Sequence, residues 1–280
     1  MIEDKPSRTA HRVALRRAGH QLWDNPRVFD DPVALKIIGR NAAAELENGP
    51  TESTSGQYLR AFLVARSRFA EEHLAAAVAR GVKQYVVLGA GLDTFAYRNP
   101  FDHLHVFEVD YPATQVWKRK LLEAEGIVIP ATLTFAPVDF EKDTLAAGLA
   151  HAGFRTDEPA FFSWLGVTPY LAEETVLGTL RWIASSCQQN GVAFDYAVPR
   201  LSLNFFNRMA FDALAARVAA AGEPFVGFFD PEKLAHKLRT MGFQHIEDLG
   251  GTEINARYFS GRADGLCVRG EMAHLLCARG

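Results

Sequence analysis

Between Tyr85 and Arg98 an apolar strand runs directly into a Gly-x-Gly-x-Asp turn built from Gly89, Gly91 and Asp93. A second apolar strand, His105 to Asp110, follows and ends in acid. A strand, a glycine turn and a second acid-tipped strand read as a βαβ unit, the building block of an open sheet that binds ligands beyond its strand ends. Glycine at 89 and 91 lets the chain turn sharply and bring main-chain atoms against a ligand, where a Cβ would intrude. Asp110 stands 21 positions after Gly89, close to the spacing that sets a carboxylate opposite the two hydroxyls of a ribose. An acid in that place suits adenosine without a 2′-phosphate.

The turn also discriminates among adenosine ligands. Dinucleotide sites generally carry a third glycine for close helix packing, and that position here is Thr94. Asp93 before it places an anion near the helix N-terminus where a pyrophosphate would sit, which opposes phosphate and suits a cationic ligand. A lone Gly-x-Gly also fits an ordinary tight βα turn; the acid at Asp110 weighs against that reading.

The run from Val86 to Arg98, followed by Phe107 to Pro112, resembles the leucine carboxyl methyltransferase superfamily. More narrowly it is similar to the bacterial branch that includes polyketide carboxyl methylases and other S-adenosylmethionine-dependent methyltransferases. The likeness extends to Ser7–Ala10, Val28–Pro32, Ala65–Phe69, Phe162–Leu171 and Arg257–Phe259, nearly the whole chain. It implies a Rossmann-like class I fold, a seven-stranded, mostly parallel sheet with an antiparallel last strand and an N-terminal helical cap. It also implies S-adenosyl-L-methionine as cofactor. Carried over by position, Arg66 would pair with the methionine carboxylate, a task for which the guanidinium fork is suited. Gly89 and Gly91 would face the amino-acid part, Asp110 the ribose, and Asp139 with Phe140 the adenine. One position departs from the pattern: Leu165 stands where related enzymes often have Glu. The cofactor's amine must then use a backbone carbonyl, with Gly89 the expectation, or another acid.

Along the chain, helices are expected from about Thr9 to Trp23, Pro32 to Ala44 and Gln57 to Arg80, the last ending at Gly81. A polar connection from Glu47 to Gly56 reads as a loop. Strands at Gln84–Leu88, His105–Asp110, Leu133–Asp139, Ala160–Val167 and Val192–Val198 alternate with helical stretches, which implies a parallel sheet covered on both faces. Two more strands are expected at Gln244–Leu249 and Ala273–Ala278. Residues 1–55 read as a helical cap and 56–280 as the methyltransferase domain.

A chain of 280 residues, 48% of them hydrophobic, can bury one large α/β core. Its net charge of −3 supplies no global field for nucleic acid, so a small-molecule acceptor is expected. Cys187, Cys267 and Cys277 are widely spaced, lack a metal pattern, and fit buried thiols in a reducing compartment. Without an apolar leader or membrane-length run, the expected location is the cytoplasm, with no membrane partner. No heptad pattern speaks to oligomeric state.

In-line transfer of an activated methyl requires no metal, and a carboxylate acceptor, ionised near pH 7, requires no base. Catalytic residues are therefore not assigned, and His73 and His151 are not nominated. Trp164, Thr168 and Tyr170 at the fourth strand end are candidates to shape an acceptor pocket and equally candidates for core. Tyr196 is a candidate hydrogen-bond donor to the acceptor. Arg8, Arg12 and Arg16 form a stripe on the first helix, beside His11 and Arg17, either solvated or attracting an anionic acceptor. The acceptor is expected to be a carboxylate or hydroxyl oxygen. A non-catalytic cofactor-binding protein and an NAD-linked oxidoreductase are the alternatives.

Overall fold

The computed structural model describes residues 8–50, 52–139, 142–187, 189–220 and 224–280. Its strands are β1 (Gln84–Leu88), β2 (His105–Asp110), β3 (Leu133–Pro137), β4 (Ala160–Trp164), β5 (Gly191–Ala197), β6 (His245–Leu249) and β7 (Ala273–Arg279). Every residue of β1, β4 and β5 is buried, the mark of parallel strands covered by helices on both faces. These strands form one seven-stranded sheet in the order β3-β2-β1-β4-β5-β7-β6. β7 runs antiparallel to both β5 and β6, and the pairs among β1 to β5 are parallel. Strand order reverses between β1 and β4, and the crevice outside such a switch point is where open sheets bind ligands.

The helices are α1 (Arg8–Trp23), α2 (Ala34–Ile37), α3 (Arg40–Glu47), α4 (Thr54–Ala79), α5 (Pro112–Ala124), α6 (Leu145–His151), α7 (Glu173–Ser186), α8 (Phe205–Ala220), α9 (Pro231–Thr240) and α10 (Gly251–Tyr258). Alternate strand residues feed two cores. Tyr85 and Val87 join Phe69 and Leu74 of α4 and Ile254 of α10 on one face. Val86 and Leu88 join Leu149 of α6, Leu180 of α7 and Leu238 of α9 on the other. A third cluster joins Ala14 and Ala18 of α1 to Ile37, Leu92 and Leu122. It seats the N-terminal segment on the glycine turn and on α5.

Several boundaries differ from those read off the sequence, each for a local reason. The helix expected over Pro32–Ala44 is split into α2 and α3 at Gly39, whose φ of +85° no continuing helix accommodates. α4 begins three residues earlier than expected because the Ser53 hydroxyl accepts from the Gly56 N–H. The boundary drawn between residues 55 and 56 thus falls inside its first turn. At the far end Gly81 donates to Val78 O and Val82 to Ala77 O, the double bond of a Schellman cap. β4 stops at Trp164 rather than Val167 because the chain turns through Gly166, at φ +74°. α10 was absent from the sequence reading. Its first N–H groups, Gly251 and Thr252, are capped by Glu271 from 20 and 19 residues away, beyond any local signal.

Candidate cofactor and acceptor site

β1 leaves the sheet at Gly89, and both turn glycines have positive φ, +67° at Gly89 and +45° at Gly91. The steric reason differs from the one the sequence suggested. A Cβ on Gly89 would lie 2.4 Å from Val167 Cγ2, and one on Gly91 would lie 3.0 Å from the Ala10 Cβ of α1. The protein's own side chains fill the Cβ directions, from the β4 loop on one side and α1 on the other. Asp93 accepts from the Phe95 N–H at 2.8 Å, which makes it a turn-forming acid.

Asp110 closes the other wall of the turn. Its Oδ2 accepts from the Gly91 N–H and its Oδ1 from the Tyr111 N–H, both at 2.6 Å. Burial raises this carboxyl, against the pull of those two donors. With the Thr114 hydroxyl as a third donor, protein bonds occupy about three of a carboxylate's roughly four lone-pair positions and leave acceptor capacity for about one ribose hydroxyl. β2 and β3 are neighbours with Asp110 paired to Pro137, so Asp139 stands two residues beyond, at the adjacent strand end. Its carboxylate meets Lys142 at 2.9 Å, a surface contact on the lysine side. Phe140 lies outside the described residues.

On the opposite side of β1, Arg66 projects from α4 to the ends of β4 and β5. It is 8% exposed, and its Nη1 donates to Asp195 Oδ2 at 3.1 Å. Asp195 Oδ1 accepts from the Gly166 N–H at 2.5 Å. Gly166 lies flat beneath the guanidinium, since a Cβ there would come within 2.7 Å of Arg66 Nη2. Sequence reasoning nominated Arg66 and passed over Asp195. The available signal was an acid inside the otherwise apolar run of β5, because a buried carboxylate requires a partner.

The acceptor candidates separate. Trp164 is 4% exposed and belongs to the core beneath α7. The Tyr196 ring is fully buried, and its hydroxyl donates to Asp248 at 2.5 Å, with His274 Nδ1 at 3.3 Å. The expectation that Tyr196 donates to an acceptor is corrected on that ground: its proton is already committed within the sheet. Thr168 is buried and its hydroxyl donates to the Asp195 carbonyl, so it braces the β4 loop against β5. Tyr170 is half-buried, its ring 5.3 Å from that of Phe225. Of the four, Tyr170 alone keeps both partial exposure and a position on the strand-end loop.

α1 covers this edge through a buried ionic network. Asp31 accepts from Arg17, from Thr94 Oγ1 at 2.7 Å, and pairs with Arg98 Nε at 3.3 Å. Arg98 also forks onto Glu71 of α4. Arg17 therefore belongs to the interior, unlike the exposed Arg12 of the same helix. Thr94, in the third-glycine position, serves as the bridge. A surface concavity of about 560 Å³ between Ile38–Ala42 and Ala124–Glu125 lies at the C-terminal end of α5. That is the opposite edge of the sheet from the strand ends and carries none of these groups. Among the described residues no cluster of His, Cys, Asp and Glu is placed to hold a metal. No helix among them is long and apolar enough to cross a membrane. Cys187 and Cys267 are half-buried, and only Cys277 is buried as expected, its thiol pushed up to about 12 by burial.

Sheet order, an antiparallel β7 and an acid-tipped β2 beside a glycine turn define a Rossmann-like, S-adenosylmethionine-dependent methyltransferase. The leucine carboxyl methyltransferase family model matches residues 10–184, and the chain belongs to that family. It is 32% identical over 291 residues to the Bacillus subtilis (strain 168) protein named "Putative S-adenosyl-L-methionine-dependent methyltransferase YktD", with 95% of each chain covered. A Mycobacterium marinum protein with the same name apart from the suffix is 36% identical over 172 residues, 58% of this chain and 56% of that one. Among solved structures, one described as a "putative methyltransferase" from Thermobifida fusca YX superposes with a TM-score of 0.62 at 15% identity. The match covers 99% of this chain and 96% of that one, a likeness of fold. Membership in the family sets aside the oxidoreductase and the non-catalytic alternatives.

Proposed function

We propose that the chain methylates an oxygen of a small-molecule acceptor, a carboxylate first among them, with residues 1–55 acting as a cap over the acceptor. S-adenosylmethionine supplies a sulfonium-activated methyl; the protein's part is to hold and align. The residues at the strand ends fit that cofactor. Asp110 keeps acceptor capacity for a ribose hydroxyl, and Asp139 stands at the next strand end for the adenine. Across the glycine turn, Arg66 has bonded one of its five N–H groups to protein and retains the others for a carboxylate. Gly89 and Gly91 carry the turn between these groups, with Val167 and Ala10 packed where their Cβ atoms would lie.

The observation that carries the oxygen-acid reading is the state of the titratable groups at this edge. Asp110 is held by two N–H groups, Asp195 by Arg66 and Gly166, and Tyr196 is spent on Asp248. Each of the three is engaged in holding a neighbouring group of the protein, and a carboxylate acceptor near pH 7 brings no proton to remove. Alignment of two bound partners supplies up to roughly 7–11 kcal/mol of barrier reduction, without a base. The family name, which specifies a leucine carboxyl, supports the same acceptor atom. A net charge of −3 supports a small acceptor rather than nucleic acid, and three unpaired cysteines support the cytoplasm.

The test is a transfer assay with methyl-labelled cofactor against panels of carboxylic acids and phenols. A methyl ester releases labelled methanol in mild base, and that is the expected product. Label that survives base treatment as an ether or amine overturns the carboxylate assignment.

A further inference from the structure

We propose that Asp195 receives the ammonium of the cofactor's amino-acid end while Arg66 receives its carboxylate, the two forming a preassembled clamp for a zwitterion. This rests on the cofactor reading above and replaces the Gly89 carbonyl as the partner of the amine.

Asp195 is the acidic residue of β5, 3% exposed. Its two protein donors, Gly166 N and Arg66 Nη1, take one position on each oxygen, and a carboxylate offers about four. Each oxygen therefore keeps a lone pair. Arg66 and Asp195 hold one another in a net-neutral pair, so neither charge is buried alone. A zwitterion entering such a site gives each member a second partner of opposite sign and leaves the total charge at zero. A ligand with only one of its two charges would leave a buried charge unmatched.

The clamp is beside the glycine turn by direct contact. Gly89 abuts Val167, and the next residue back, Gly166, lies under the Arg66 guanidinium. The φ of +74° at Gly166 bends the chain after β4 so that its N–H turns onto Asp195. Leu165 packs with the apolar cluster on the α4 face, so the side chain at that position offers no charge and the acid comes from the next strand.

The bland role for this pair is a structural tie between α4 and β5, and ligand discrimination separates the two. Isothermal titration would compare S-adenosylhomocysteine with 5′-S-(3-carboxypropyl)-5′-thioadenosine, which keeps the carboxylate and lacks the ammonium. The wild type should bind S-adenosylhomocysteine about tenfold or more tighter, the scale of one charge-assisted hydrogen bond. In Asp195→Asn that gap should shrink to about threefold or less. An undiminished gap in the variant assigns Asp195 a structural role and overturns the proposal. So does a wild-type gap below about threefold, a result that stands even if the variant fails to fold. Failure of the wild type to bind either ligand would instead strike the cofactor reading itself.

Discussion

Replacing Gly89 by alanine tests why the turn after β1 requires glycine. Two costs are separable in the structure. A residue bearing Cβ at φ +67° pays for the left-handed region, roughly 1–2 kcal/mol. The new Cβ also lies 2.4 Å from Val167 Cγ2, and overlap with a stiff branched side chain adds about 1–3 kcal/mol. Gly89→Ala should therefore destabilise by about 2–5 kcal/mol, the sum of the two. Val167→Ala removes the struck methyl, so in the double variant the conformational cost remains and the overlap is relieved. A favourable coupling of about 1–3 kcal/mol follows. Urea unfolding of wild type, both single variants and the double variant measures it, provided the slopes agree. If Gly89→Ala costs as much on the Val167→Ala background as in the wild type, overlap with Val167 is not the reason for glycine. A cost below about 1 kcal/mol would refute both terms.

Asp31→Asn removes the anion that Arg17 and Arg98 share in the interior and should cost about 3–5 kcal/mol near neutral pH. Burial alone would raise the Asp31 carboxyl, but the two guanidinium groups outweigh it and hold it below the usual range. Its stabilisation is present above the unfolded carboxylate range and is lost as pH falls through the lowered folded value, so the gap between variant and wild type in urea midpoint should close in acid. Glu108 works in the opposite sense. Burial, partly offset by Lys118, pushes it from 4.5 to about 7, so ionising it inside the fold costs stability as pH rises through that window. The paired replacement Glu108→Gln with Lys118→Met should unfold with a flatter pH profile between those values; an unchanged slope would place the titration elsewhere.

β1 and β2 were legible to the residue, because both are apolar runs bounded by a glycine turn or an acid that ends the pattern. The glycine turn and Asp110 were legible for the same reason: they lie within one βαβ unit, where spacing along the chain translates into distance in space. Asp195 was not, since its partner Arg66 is 129 residues away and only the assembled sheet brings α4 to the end of β5. Tyr196 was misread because a tyrosine near a strand end looks available until β6 and β7 supply Asp248 and His274. The break at Gly39 and the Glu271 cap on α10 likewise depend on backbone angles and remote partners that local composition does not encode.

The most direct test of the central claim is calorimetric titration of S-adenosylhomocysteine into the wild type and Asp110→Ala, with NAD as the comparison ligand. The account predicts saturable one-site binding of S-adenosylhomocysteine, little or none of NAD, and a loss of about 1–3 kcal/mol in Asp110→Ala, the scale of a lost buried hydrogen bond. No binding of S-adenosylhomocysteine, or binding indifferent to Asp110, would contradict the placement of the cofactor at this edge of the sheet.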